Sequence, residues 1–259
     1  MVIKYEKYYP TKEHEEAAKK FVELFSKDKK VKAILLTCSC ARGKAHKSSC
    51  VDFAIVVKDL KDKKDIKKKF EEFTKNSKEY KKLKELDKFT HIDLDVIDGT
   101  FRPSDRGICS QSSEFELELG NYIAYSIILF ERDKYFSKLT KRYLPYYNES
   151  LRLRRLNRTI RYCLNHLDHI EQFVKRKLHF QAYERLLDSV QGFMQALFIK
   201  NKVYPIAYDK WVKDQYYEIL KRPDLYKKIV DIISIKKFES NEINIKSKKL
   251  MRLIEKELK

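Results

Sequence analysis

The 259-residue sequence has little of what marks several classes of protein. It contains only five glycines and five prolines, which argues against collagen-like and low-complexity chains. No apolar run approaches the roughly 18–20 residues needed to span a bilayer. Residues 1–10 are polar and aromatic, so we expect no signal peptide. The five cysteines are an odd number and argue against a disulfide framework. Together these absences predict a soluble, cytoplasmic protein.

The charge of the chain is strongly positive. Lysine and arginine total 57 against 38 aspartates and glutamates, which gives a formal net charge of +19. Such a balance favours anionic partners, among them nucleotides, nucleic acid and phosphorylated substrates. A solvated, lysine-rich surface explains the same excess, and composition leaves both interpretations open. Hydrophobic residues make up 43%, enough for an ordinary packed core.

The hydrophobic periodicity divides the chain near residue 112. Before that point, helical spacing alternates with short β-branched runs. The predicted elements are a helix over 11–27, a strand over 31–37, a polar turn to 49, a strand over 51–57, a charged helix over 61–88 and a strand over 89–97. After it, long helical periods dominate, with breaks at Pro145, Tyr204-Pro205 and Pro223. We therefore expect an α/β domain over 1–112 and an all-helical domain over 113–259.

The most informative pattern lies between the first two predicted strands. It is Cys38-Ser39-Cys40-Ala41-Arg42-Gly43, five further residues, and then Ser49-Cys50-Val51-Asp52-Phe53. This resembles the signature of the DNA polymerase β-like nucleotidyltransferases, especially their minimal and antibiotic-modifying prokaryotic branch. That signature is Gly-Ser-x-Ala-Arg-Gly, five residues, and Ser-Asp-x-Asp. The resemblance implies an α+β fold, in which a small mixed sheet with flanking helices precedes a helical bundle.

The resemblance also implies a metal-dependent reaction on a nucleoside triphosphate. Hard cations such as Mg²⁺ or Mn²⁺ prefer carboxylate ligands, and Asp52 is the matching carboxylate in the second strand. Asp93, which follows an apolar residue in the third strand, is the first candidate for the carboxylate that a neighbouring strand supplies. Asp95, on the same face of that strand, is the fallback. Ser39, Arg42, Gly43 and Ser49 would serve the nucleotide phosphates.

Two residues depart from the family pattern. Cys38 stands where the family has glycine, and it adds bulk where backbone approaches phosphate. Cys50 stands where the family has the first of two paired aspartates, and a thiol is a poor ligand for Mg²⁺. We therefore expect a metal site formed by Asp52 and Asp93, with Cys50 in the position of the lost carboxylate. Its catalysis would be impaired or absent.

The cysteines allow two other interpretations. Cys38, Cys40, His46 and Cys50 have the donor set of a Cys₃His zinc site. A disulfide between Cys38 and Cys50 is also conceivable.

The helical half carries weaker signals. Its Tyr204-Pro205 and Asp209-Lys210-Trp211 resemble a segment of aminoglycoside-type adenylyltransferases, in which a lysine reaches the phosphates. Lys210 is therefore a candidate for contact with the triphosphate. Arg161 and His166 also resemble the Arg-x₄-His pattern of small helical ribonucleases, a pattern that often occurs by chance.

The predicted function is transfer of a nucleoside monophosphate, AMP from ATP in the first instance, to a hydroxyl of an unidentified acceptor. The first alternative is a nucleotide-binding pseudoenzyme that serves as a regulatory partner. The second is a basic RNA-binding protein on the same fold, whose affinity would fall steeply with added salt. The sequence leaves the acceptor and the oligomeric state open.

Overall fold

The computed structural model describes residues 5–100, 115–144 and 146–258. These residues form two compact units. The sheet unit contains the described residues up to 100 together with 118–144, and the helical unit contains 115–117 and 146–258. The predicted domain boundary near residue 112 and the predicted break at Pro145 lie outside the described residues and stay predictions. Cys109 also lies outside the described residues.

The sheet unit follows the predicted alternation of helices and strands. Its elements are α1 (Lys12–Ser26), β1 (Val31–Leu36), α2 (Cys38–Ala41), β2 (Val51–Val57), α3 (Lys63–Asn76), α4 (Lys78–Lys84), β3 (Ile92–Ile97), α5 (Asn121–Tyr125), β4 (Ile127–Glu131) and α6 (Tyr135–Tyr143). All three predicted strands are present. The fourth strand, β4, comes from the segment after residue 113 that was expected to be helical.

The four strands form one sheet in the order β3-β2-β1-β4. β1 runs antiparallel to both β2 and β4, while β2 and β3 run parallel. The helices α3 and α4 form the crossover that a parallel pair requires. The predicted small mixed sheet is thereby confirmed.

One face of the sheet is closed by aromatic packing. Phe53 of β2 stacks on Phe21 of α1 with ring centroids 4.2 Å apart. Phe21 also stacks on Phe25 and meets Phe73 of α3 edge to face. Because side chains alternate along a strand, Asp52 points to the face opposite Phe53. The apolar side of β2 is therefore packed against α1 and α3, and the side that carries Asp52 faces away from them.

The prediction of one continuous helix over 61–88 is wrong. The segment begins with a short 3₁₀ turn, Leu60–Asp62, and α3 ends at Asn76. Ser77 then adopts an extended conformation, and its hydroxyl accepts a hydrogen bond from the Tyr80 backbone N–H at 3.1 Å. A serine whose side chain caps the start of a new helix competes with continuation of the preceding helix. The backbone therefore turns at Ser77, although the spacing of apolar residues continues on both sides.

The helical unit is built on two long helices. Its elements are α7 (Glu149–Lys175), α8 (His179–Asn201), α9 (Val212–Asp214), α10 (Pro223–Ile233) and α11 (Glu242–Leu258). The helices α7 and α8 approach closely at Gly192, where an added Cβ would lie 2.6 Å from the Cys163 sulfur. Pro223 begins α10, as predicted from its position. Among the helices of the described ranges, none has the length and apolar character needed to cross a membrane.

Candidate functional site

The acidic residues of two neighbouring strands stand side by side. In the parallel ladder of β2 and β3, Asp52 is the register partner of Asp93, and Ala54 is the partner of Asp95. Register partners point to the same face, and adjacent strands lie only about 4.8 Å apart. Asp52, Asp93 and Asp95 therefore share the face opposite the aromatic core.

The environment of Asp52 disfavours a negative charge without a cation. Burial and, after it, the neighbouring charge of Asp93 together raise the pKa of its carboxyl to about 6. The electrostatic effects of His91 and Arg42 oppose this rise, as does a hydrogen bond from the Cys38 thiol. A carboxylate that is both buried and next to a like charge is a natural ligand for a metal ion, because the ion removes both penalties.

Asp95 is already engaged within the sheet unit. The Tyr122 hydroxyl donates a hydrogen bond to its Oδ2 at 2.5 Å. Lys63, Gly99 and Tyr122 help to line a cavity of about 270 Å³ beside it. That volume is below the roughly 300–1,000 Å³ typical of pockets for whole small molecules, so within this unit it accommodates only part of a ligand.

Cys38 holds a conformation that favours glycine. Its φ is +54°, in the left-handed region, where a non-glycine residue is strained by roughly 1–2 kcal/mol. It opens α2, a single helical turn within the segment predicted as a polar turn. The conformation explains why glycine suits this position in the family signature. Here a thiol occupies the space beside Asp52.

Three other motif residues shape the loop around α2. Gly43 has a φ of +69°, and an added Cβ would lie 2.9 Å from the Glu6 carbonyl oxygen. Ser49 accepts a hydrogen bond from the His46 backbone N–H at 2.9 Å and so closes a turn. Ser39 is half-buried within α2. Gly43 and Ser49 thus have structural roles, and the phosphate contacts of all three stay predictions.

Arg42 and Lys210, the two basic residues predicted to bind phosphate, belong to different units. Arg42 is only 6% exposed, and burial lowers the pKa of its guanidinium. Its charge acts on Asp52 from inside the sheet unit. Lys210 is an exposed residue of the helical unit, whose backbone carbonyl accepts a hydrogen bond from Gln215. Its contact with the triphosphate stays a prediction.

The alternative interpretations of the cysteines are both wrong. Cys38, Cys40, Cys50 and Cys163, which are the cysteines of the described residues, are all free thiols, so Cys38 and Cys50 form no disulfide. Cys38, Cys40 and His46 do not join Cys50 in a group of metal donors. Cys50 instead lies with Asp93, with which it was grouped from the sequence, and with His91, which sequence reasoning missed. Partial burial and the charges of Asp52 and Asp93 raise the pKa of the Cys50 thiol to about 11.

Sequence reasoning missed two histidines near the site. His91 precedes β3, and its Nε2 lies 3.1 Å from Asp93 Oδ1. The spacing of two residues along an extended chain could have shown that they share a face. His14 is fully buried in α1, and its ring bridges the Thr11 hydroxyl and the Ser49 carbonyl. No pattern in the sequence distinguishes this buried, hydrogen-bonded histidine from an ordinary surface histidine.

Comparison with known proteins gives a family match that includes these residues. A family model described as a nucleotidyltransferase domain matches residues 16–109. Among solved structures, the chain is similar to a nucleotidyltransferase-like protein from Exiguobacterium sibiricum 255-15, at 12% identity and a TM-score of 0.49. That match covers 93% of this chain and 74% of the other. No curated protein matches the sequence. The matched residues carry the motif and both acidic strands, so this part of the chain is similar to a nucleotidyltransferase domain.

Proposed function

We propose that this protein transfers a nucleoside monophosphate, AMP from ATP in the first instance, to a hydroxyl of an acceptor in a metal-dependent reaction. The family match of residues 16–109 supports nucleotidyl transfer as the general activity. One observation carries the finer proposal. Asp52 and Asp93 are register partners on parallel strands, so two carboxylates are available to one cation.

The donor set fits one Mg²⁺ or Mn²⁺ ion better than two. Asp52 and Asp93 supply the oxygen ligands that hard cations prefer. The third family position is Cys50, a protonated thiol that suits neither ion. When bound, the ion would neutralise triphosphate charge and polarise the transferring phosphoryl group.

The residues of the chain contribute positioning and proton transfer. Asp93 is exposed on the acidic face, where its carboxylate accepts the proton of the acceptor hydroxyl. Ser39 contacts the phosphates beside Asp52, and the contact of Lys210 with the triphosphate stays a prediction. The charge of buried Arg42 lowers the pKa of Asp52 and so favours its ionised form. The rate enhancement then comes mainly from orientation and fixed charge.

A second candidate function is nucleotide binding without efficient turnover. Two observations favour it, namely the thiol at position 50 in place of a carboxylate and the Cys38 side chain beside Asp52. Such a protein would serve as a nucleotide-responsive partner of another macromolecule.

Two measurements distinguish the enzyme from the binding protein. They are calorimetry with ATP, with and without Mg²⁺, and an assay of pyrophosphate release. Mg²⁺-dependent release that is lost in Asp52→Asn and kept in Asp168→Asn, a change at an exposed helical-unit residue, supports the enzyme. ATP binding without release, together with release gained in Cys50→Asp, supports the binding protein. Absence of ATP binding in the wild type and in Cys50→Asp contradicts both.

A further inference from the structure

Cys50, His91 and Asp93 bring three different metal donors together at the start of β2 and β3. The Cys50 sulfur lies 3.7 Å from His91 Nδ1 and 3.8 Å from His91 Nε2. His91 Nε2 lies 3.1 Å from Asp93 Oδ1. One ligand atom from each residue lies within 4.8 Å of the others. This is the one such group of three or more donors in the part of the chain that the structure describes.

These separations match the edges of a tetrahedral zinc site. Bonds of about 2.3 Å to sulfur and about 2.0–2.1 Å to nitrogen or oxygen place sulfur and nitrogen about 3.6 Å apart, and nitrogen and oxygen about 3.3–3.4 Å apart. The observed distances of 3.8 Å and 3.1 Å from Nε2 differ from these edges by about 0.2–0.3 Å. The sulfur lies almost equally far from the two ring nitrogens, so the Cys50 side chain has to rotate towards Nε2 before all three donors reach one ion.

The backbone orients the imidazole as it does in metal sites. His91 Nδ1 lies 2.6 Å from the Phe89 carbonyl oxygen, which can only accept, so Nδ1 carries a proton and donates it. In neutral imidazole Nε2 then carries a lone pair, and it faces a carboxylate oxygen of Asp93. Two acceptors at this distance need a proton or a cation between them. Histidine ligands commonly donate their second N–H to a carbonyl in this manner.

Pairing of the chain at the start of β2 and β3 fixes the positions of Cys50, His91 and Asp93. The Val51 backbone N–H donates to the His91 carbonyl oxygen at 2.9 Å, which ties the residue after Cys50 to the chain entering β3. The side chains of His91 and Asp93 are 34% and 59% exposed, so an ion can enter and a fourth coordination position faces solvent.

We propose that Cys50, His91 and Asp93 form a binding site for a borderline-soft divalent cation, with Zn²⁺ as the best fit, and that the fourth position is left for water or a ligand oxygen. The donor set of one sulfur, one nitrogen and one oxygen distinguishes this site from the all-carboxylate site typical of the family. Asp93 has two carboxylate oxygens, so it can serve this ion and the hard ion of the proposed function. The proposal does not depend on nucleotidyl transfer, because metal alone tests it.

Cobalt substitution tests the ligands directly. Titration of the full-length protein with Co²⁺ is expected to give visible bands of four-coordinate cobalt together with a near-ultraviolet sulfur-to-cobalt band. The sulfur band is expected to disappear in Cys50→Ser and to remain in Cys38→Ser, a matched change at a cysteine outside the group. A sulfur band that survives Cys50→Ser, or a wild-type spectrum without one, overturns the proposal.

Competition with a chromophoric chelator measures Zn²⁺ affinity. Loss of one ligand in Cys50→Ser or His91→Ala is expected to lower the affinity by at least about 10–100-fold. His46→Ala, at an exposed histidine of the neighbouring loop, is expected to leave it unchanged. Circular dichroism of each variant verifies its fold, and His91→Ala carries the test if Cys50→Ser does not fold. Equal affinity in the wild type and in His91→Ala contradicts the proposal, whether or not the protein turns over ATP.

Discussion

Asp52 and Asp93, which are 41 positions apart in the chain, are direct neighbours across β2 and β3. Because Asp93 contributes to the raised pKa of Asp52, Asp93→Asn is expected to lower that pKa from about 6. Carboxyl-carbon NMR titration measures the change. Asp95→Asn is the matched control and is expected to lower the pKa of Asp52 less, since Asp93 is the strongest of the charges that act on Asp52.

The same relationship predicts how metal affinity depends on pH. A cation binds the ionised form of Asp52, and the raised pKa means that this form is lost as the pH falls below about 6. Affinity for Mn²⁺ is therefore expected to rise between pH 5 and 7 and to level off above, which electron paramagnetic resonance of the free ion can follow. A flat profile over this range would show that Asp52 is not a ligand.

The left-handed backbone at Cys38 predicts a difference between two substitutions. Cys38→Ala and Cys38→Gly both remove the thiol, but only glycine relieves strain at a φ of +54°. The relief of roughly 1–2 kcal/mol is partly offset by the greater freedom of glycine in the unfolded chain. Cys38→Gly is expected to be more stable than Cys38→Ala by about 0.5–1 kcal/mol in urea denaturation. Equal stability would contradict the conformational argument.

The close approach of α7 and α8 predicts a coupling between Gly192 and Cys163. In the wild-type background, Gly192→Ala places a Cβ 2.6 Å from the Cys163 sulfur, and the overpacking costs about 1–3 kcal/mol. In the Cys163→Ala background the sulfur is gone and the nearest remaining atom is a Tyr162 ring carbon at 3.3 Å, so the penalty is expected to shrink and the helix propensity of alanine, worth up to about 1 kcal/mol, to offset it. A double-mutant cycle measures the difference. Additive effects would show that the helices do not meet at this point.

His166 in the helical unit predicts a loss of stability in acid. Its burial, with the charges of Arg185 and His169, lowers the pKa of the ring to about 4, although Asp188 Oδ2 lies 3.4 Å away and opposes the shift. The unfolded chain therefore binds the proton first. The contribution of the neutral ring is complete above about pH 6.5 and is lost as the pH falls towards 4.

Solvent screening near the surface and the neighbouring Asp188 carboxylate reduce this effect to about 1–2 kcal/mol. Denaturation at pH 7 and at pH 4.5 measures it, with His166→Gln as the variant expected to lose less stability over this interval. An equal loss in the variant would assign the acid sensitivity to other groups.

Much of the sheet unit could be predicted because its signals are local. The alternation in Val51–Val57 and Ile92–Ile97 placed both strands, and it put Asp52 opposite the Phe53 side of its strand. The family resemblance then implied that the strand of Asp93 lies near the strand of Asp52. The parallel register sets these two residues side by side, while their metal-binding and catalytic roles stay predictions.

The remaining features depend on tertiary contacts that leave little trace in the sequence. The break at Ser77 interrupts a periodicity that continues on both sides. The strand Ile127–Glu131 is short and half-buried, and its pairing with β1 defines it more than its composition does. His91 has local partners in Phe89 and Asp93, but its contact with Cys50 forms only when the other strand is in place. The positive φ of Cys38 follows from the shape of the loop. The one indication of it at the level of sequence is that the family signature has glycine at this position.

The pairing of β2 with β3 makes the acidic face sensitive to strand slippage. A shift of β3 by a single position would set Ile92 or Leu94 beside Asp52 and turn both aspartates of β3 towards the aromatic layer. Such a misaligned sheet would bury charge and expose leucine and isoleucine at once, so it is heavily penalised. The hydrophobic alternation that drives folding therefore also ensures that these carboxylates meet, without any bond between them.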